Sequence, residues 1–468
     1  MEPVYRILAV LQNIFMVPFR NNQFSFTRLF VKAGLLFLLS TFLFGIVAAM
    51  QYVLPGFGRD VFSFDKLRPL HVSSAVFWIL MAAMGGVLTY LQEIKSFTEK
   101  TKKRIKIQFY LFVVSFVSIL ISYCFGIFGG REYWEFHPIF MLPILVGWVL
   151  FLFNFFTHVK AIKNQPVYIW MWVTGVIFFL FTYIESNLWL LPAVRNSLIK
   201  DMTIQWKSYG SMVGAWNMLI YGSSIYLMDK IAGNQKYSHS NMAFGLYGLS
   251  LFNLMFNWGH HIYTLPTANY AHIIAYAVSM TELLILGKII YTWRQSLSFE
   301  QKHKHIQSYW FLYAADIWVF VNLGLAIAMS IPAINIYMHG THIIVAHTMG
   351  TTIGINTMIL MAIAYDILWK KKAMHSNFKL SFLLTNISLG VFFIALIIAG
   401  IIKSYWQFNE PQIAYGAMFA RLKPWFFVFF SAGIFLALGL ILLVVPLIKK
   451  QKLKSMNRFM DIQKAELN

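Results

Sequence analysis

Apolar runs of about twenty residues, long enough to cross a bilayer, recur along almost the whole chain. Hydrocarbon offers no partner to a backbone N–H or C=O, so such runs must close their hydrogen bonds internally, as helices or closed barrels. Barrel strands alternate apolar and polar residues; these runs are continuous, and a barrel is excluded. Twelve spans are predicted, at roughly 28–54, 71–92, 106–128, 138–158, 166–190, 209–228, 241–264, 268–292, 308–331, 338–366, 380–402 and 424–448. With 59% hydrophobic and 12% charged residues, the composition exceeds what a water-soluble core needs. The expected fold is an all-α integral membrane bundle with one domain at 28–450, an interfacial lead-in at 1–27 and a basic tail at 451–468.

A net charge of +21 invites a nucleic-acid reading, but its placement argues otherwise. Lys100, Lys102, Lys103 and Arg104 follow span two, and Lys160 and Lys163 follow span four. Lys230 and Lys236 follow span six, Arg294, Lys302 and Lys304 span eight, and Lys370, Lys371 and Lys372 span ten. All fall on one side of an even-numbered topology. The positive-inside rule then puts both termini in the cytoplasm, in a multi-pass protein of the inner (cytoplasmic) membrane. The surplus suits anionic lipid and needs no nucleic-acid partner. The single cysteine, Cys124, excludes a disulfide framework and covalent attachment of a c-type heme. No small-residue cleavage site follows Arg6, Arg20 and Arg28, so no removed signal peptide is expected.

The chemistry concentrates at 337–351, an apolar stretch interrupted by His339, His342, His347 and Met349. Bilayer hydrocarbon disfavours an unpaired imidazole. On a helix, His347 and Met349 point roughly 200° apart, so one span can serve two neighbouring centres. Topology adds a second signal. His71 starts span two, His260 and His261 lie near the end of span seven, and His347 lies early in span ten, all in the outer layer. A lone buried histidine is most simply bonded to a neighbouring helix. Shared depth favours a metal or heme assembly, with a transporter's polar path as the main competitor. Glu282, mid-span, is costly there and reads as functional.

Four pieces then look familiar: Leu-His-Val-Ser-Ser-Ala-Val-Phe-Trp (70–78), Gly-Arg-Glu-Tyr-Trp-Glu-Phe (130–136), Trp-Gly-His-His (258–261) and His-Gly-Thr-His-Ile-Ile-Val-Ala-His (339–347). In this order the chain resembles subunit I of the heme–copper oxidase superfamily, nearest the catalytic subunit of nitric oxide reductases, with cbb-type oxygen reductases next. The resemblance implies a twelve-helix bundle holding two hemes b and a non-heme iron or copper. It makes His71 an axial ligand of the low-spin heme and His347 that of the high-spin heme. His260 and His261 would be ligands of the non-heme metal, and Glu282 a catalytic carboxylate beside it. Glu132 and Glu135 match a possible calcium site, with exposed loop carboxylates as the equal alternative. Arg131 is a partner for a heme propionate. A c-type cytochrome or quinol would donate electrons, and the substrate would be a small gas, NO or O2.

Three departures qualify this picture. The family's His-x-His reads His347-Thr348-Met349, which implies either His71/Met349 ligation of the low-spin heme or its absence; thioether ligation raises a heme's potential. The span-six histidine is missing. One alignment puts Tyr209 there and another Ser211, and the reductases' span-six glutamate falls on Val213. The non-heme metal is then weakly held, otherwise ligated or absent. Finally, Tyr209 is the only tyrosine near the oxidases' cross-link position, and its spacing is wrong, which weighs against oxygen reduction. A heme-binding subunit without turnover is the non-catalytic alternative.

Overall fold

The computed structural model describes residues 26–279, 292–369 and 373–449. Glu282, the lead-in up to residue 25 and the tail from residue 450 lie outside the described residues. The principal helices follow the expected spans in order. They are α1 (Phe26–Val53), α2 (Phe64–Ile94), α3 (Glu99–Cys124), α4 (Met141–His158), α5 (Val167–Glu185), α6 (Leu198–Ala232), α7 (Asn241–Phe256), α8 (Asn269–Ser279), α9 (Ile306–Ser330), α10 (His342–Leu368), α11 (Phe378–Asn409) and α12 (Tyr415–Ile448). No strand occurs among the described residues, where one isolated bridge joins Arg131 to Trp134.

Among the described residues, nine of these are long and apolar enough to cross a bilayer; α6 and α7 are not, and α8 is described only as far as Ser279. The 35 residues of α6 are ample, but Gly, Ser, Tyr and Asn lower the hydropathy of its middle. α7 stops at Phe256, where a tighter 3-10 turn, Asn257–Ile262, takes over and carries the double histidine. The expected continuous run 241–264 is therefore broken at the functional residues. α10 begins at His342 rather than 338. Gly340 takes the left-handed conformation (φ 73°), and Thr341 caps the helix by accepting from the Ile343 N–H at 3.2 Å.

α2 and α10 form the axis of the bundle: 89% and 72% of their apolar windows are buried, the two highest shares among the nine. Large apolar side chains such as Val114, Phe181 and Ile387 are exposed on the outside, the surface lipid would cover. At the basic end, one lysine ties three helices together. Lys230 of α6 lies 3.0 Å from Glu93 of α2 and 2.8 Å from Asp366 of α10. Tyr226 adds a donation to Glu93 at 3.1 Å. Asp366 is almost wholly buried, so removing its cation strands a charge. Lys230→Met is expected to cost about 2–3 kcal/mol, between the values for exposed and fully buried pairs. Unfolding of the detergent-solubilised variant should show this, and Asp366→Asn in the same chain should recover part of the loss.

Candidate functional site

The site is built at the opposite end of the same helices. On α2, Nδ1 of His71 lies 2.9 Å from the Thr41 carbonyl of α1. A carbonyl only accepts, so Nδ1 carries the proton and Nε2 is left for a ligand. Metal-bound histidines are commonly oriented in this way. The ring rests on Gly45, where an added Cβ would stand 2.7 Å from Nδ1.

α10 carries His347 and Met349, then loosens into a π-helical stretch, Gly350–Thr357. Such stretches are frequent at functional sites. Hydroxyls bond back onto the loosened backbone: Thr351 to the His347 carbonyl at 3.2 Å and Thr352 to that of Thr348 at 2.7 Å. Buried amides hold the turn from outside. Asn322 of α9 donates to Thr351 Oγ1 at 2.7 Å, and Asn356 donates to Asn217 of α6 at 2.9 Å. Nδ1 of His347 has no hydrogen-bond partner, and the Asn322 backbone lies beside its ring. Sequence reasoning missed these amides. Their signal was the density of Thr and Asn after Met349, unusual inside an apolar run.

The 3-10 turn presents His260 and His261 with ring centroids 4.1 Å apart and planes tilted by 41°. Trp206 of α6 stacks on His261 at 4.8 Å, within 8° of parallel. His261 is within electrostatic reach of His260, His339 and His347. An interior cavity of about 350 Å³ is walled by His71, Met349, His347, His260 and His261 together, and by Tyr209. This volume lies in the range of cofactor sites.

α6 places two expected residues differently. Its cavity wall takes Trp206, Tyr209, Gly210, Val213, Gly214, Asn217 and Tyr221, at the three-and-four spacing of one helix face, together with Trp216 and Met218. Tyr209 lies on that face. Ser211, two residues on, is buried but does not line the cavity. The Tyr209 hydroxyl is buried and has no hydrogen-bond partner, and its ring stands edge-on to Tyr133.

The acidic loop is held by an arginine. Arg68 of α2, one turn before His71, grips both Glu132, at 2.9 Å, and Glu135. Burial raises the Glu135 pKa, and Arg68 works against that shift. A calcium ion between these carboxylates would have to displace a guanidinium already there. Arg131 is engaged elsewhere, by Asp201 at 2.7 Å and by the Trp189 ring. Arg68 is thus the cation nearest His71 along α2, and its i, i+3 spacing to that residue was the readable sign. Among the described residues, no three His, Cys, Asp or Glu side chains stand in an arrangement able to hold a metal ion.

Residues 25–436 match the family described as cytochrome c and quinol oxidase polypeptide I. The chain belongs to that family. A nitric oxide reductase subunit from Stutzerimonas stutzeri is 21% identical over 447 residues, covering 88% of this chain and 91% of its own length. Cytochrome c oxidase subunit 1 of Rhodobacter capsulatus is also 21% identical, over 79% of this chain and 74% of its own. A heme-copper terminal oxidase dimer solved by cryo-EM shares the fold, with a TM-score of 0.68 at 15% identity, over 90% of this chain and 83% of that one. The chain is therefore a multi-pass membrane protein of the heme–copper oxidase subunit I fold, and membership implies hemes and a non-heme metal.

The described residues fit the two classes of cofactor unequally. For heme, an imidazole oriented through Nδ1, a second imidazole and a thioether all open on one cavity. For a non-heme metal, two imidazoles are present where divalent sites use three or four donors. Gly45→Ala is expected to push the His71 ring off the Thr41 carbonyl and to reduce the low-spin heme absorbance of the purified protein. Ser40→Ala, on the same helix, should leave that absorbance unchanged.

Proposed function

We propose that this chain is the heme-binding catalytic subunit of a membrane oxidoreductase that acts on nitric oxide. The observation that carries the proposal is the common cavity. Ligand-type side chains from α2, α10 and the turn after α7 reach it, in a chain that is similar to a nitric oxide reductase subunit over most of its length. In the reductase form, two molecules of NO take up two electrons and two protons to give N2O and water. In the dismutase form, no external electrons are needed.

The residues divide the work. His347 holds the high-spin heme, and Asn322, Thr351 and the π-helical turn set its depth. His71 and Met349 hold the low-spin heme, and the thioether keeps its potential above that of a bis-histidine site. The hemes supply electron storage and a place for the gas. His260 and His261 close the cavity on another side, and Trp206 fixes one of their rings. Glu282, outside the described residues, is retained as a carboxylate candidate for proton delivery. Electrons come from a c-type cytochrome or a quinol at the face away from the basic loops, and both termini lie in the cytoplasm.

A cbb-type oxygen reductase is the second reading, favoured by Tyr209 in the cavity wall. The position of Tyr209 in the sequence, wrongly spaced for the oxidases' cross-link, weakens it.

An electrode trace separates these readings. NO consumption that requires an added reductant marks the reductase, and consumption without one marks the dismutase. Oxygen uptake without NO consumption would overturn the proposal in favour of the oxidase. His347→Ala is expected to remove high-spin heme and reduce turnover to background. Met349→His should lower the potential of the low-spin heme in a redox titration; an unchanged potential would reduce Met349 to packing.

A further inference from the structure

We infer that the groove between α3 and α4, on the lipid-facing surface of the bundle, is a binding site for one anionic phospholipid. It shares no residue with the cavity that the histidines wall.

Ile107, Tyr110, Val114 and Ser118 of α3 form one side of the groove. Phe140 and Pro143, at the start of α4, form the other, around a volume of about 400 Å³. The α3 residues repeat at three and four, so they make one stripe of that helix. Ile107, Tyr110 and Val114 are exposed on it, whereas Phe109, Phe112 and Phe116 on the opposite stripe are buried in the core. Beneath the groove the two helices touch. A Cβ on Gly147 of α4 would stand 2.8 Å from the Phe112 ring and 3.6 Å from Leu111 Cβ. Ser115 and Ser118 are too short to fill the space above that contact. The Ser115 hydroxyl donates back to the Leu111 carbonyl at 2.6 Å, so what the groove presents is mainly aliphatic and ring surface.

Length and charge select the occupant. The stripe from Ile107 to Ser118 is roughly 16 Å long at the rise of an α-helix. The hydrocarbon of one leaflet is about 15 Å deep, so the groove has the reach of an acyl chain. Followed toward the basic end of the bundle, the same stripe continues with Lys103, one turn before Ile107, and then Lys100. Both are exposed. Neighbouring cations are already engaged. Lys102 pairs with Glu99 at 2.7 Å, Lys106 lies over the Phe26 ring at 5.9 Å, and Arg104 donates to Thr157 of α4 at 3.1 Å. Lys100 and Lys103 have no carboxylate partner among the described residues. Two unpaired ammonium groups at the mouth of a chain-length apolar groove suit a headgroup of net negative charge. A zwitterionic headgroup would bring its own cation against them.

The test uses the full-length chain purified in detergent and stripped of lipid. It is loaded with equal amounts of phosphatidylglycerol and phosphatidylcholine carrying the same acyl chains, and bound lipid is counted by native mass spectrometry. One phosphatidylglycerol per chain is expected to be retained in preference to phosphatidylcholine. Lys100→Gln combined with Lys103→Gln should lower that preference by about tenfold or more. Lys160→Gln combined with Lys163→Gln, an exposed pair in the loop after α4 at the same end, should leave it unchanged. Ser118→Phe, which fills the groove and keeps both lysines, should lose the bound lipid. Absence of preference in the unaltered chain, an equal preference in the Lys100/Lys103 variant, or full retention of lipid in Ser118→Phe would overturn the inference. A polypeptide or a second copy of the chain retained in place of lipid, and released by Ser118→Phe, would overturn it in favour of a protein occupant.

Discussion

An imidazole in hydrocarbon without a partner is costly, and much of this structure answers that cost. His71 is satisfied on one side by the Thr41 carbonyl, and His261 is covered by Trp206. The remaining ring nitrogens are gathered around one cavity rather than left against lipid. That gathering needs helices held in fixed register. The register comes from α2 and α10 as buried axis, from Lys230 binding both to α6 at the basic end, and from amide and hydroxyl bonds around the π-helical turn at the other. The ion cluster and the histidine site therefore sit at opposite ends of one rigid frame.

The frame also explains how a site can drift while its fold stays. Met349 stands where the resemblance expects a second histidine, and a thioether fills similar space and still offers a lone pair. α6 has changed further. Glycines at 210 and 214 let the segment that leads into the double-histidine turn pack directly on its backbone.

Much of this was legible in the sequence, and the limits have physical causes. The all-helical class and the order of the helices followed from apolar runs, because the bilayer imposes helix length. The break of α7 at the double histidine did not, because hydropathy is indifferent to whether a run stays helical to its end. His71, His260, His261, His347 and Met349 were readable because polar groups stand out against hydrocarbon, and the cavity unites them. That Tyr209 lines the cavity and Ser211 does not was beyond an alignment of short motifs, which ignores helix face. Loop chemistry was least legible. Glu132 and Glu135 share Arg68, and Arg131 pairs with Asp201, because surface ion pairs depend on tertiary neighbours that no local pattern encodes.

The central claim is that distant imidazoles converge to grip iron porphyrin inside the bundle. Pyridine hemochrome analysis of the purified chain tests it most directly. The account expects two hemes b per polypeptide, and a well-folded chain containing no heme b would contradict it.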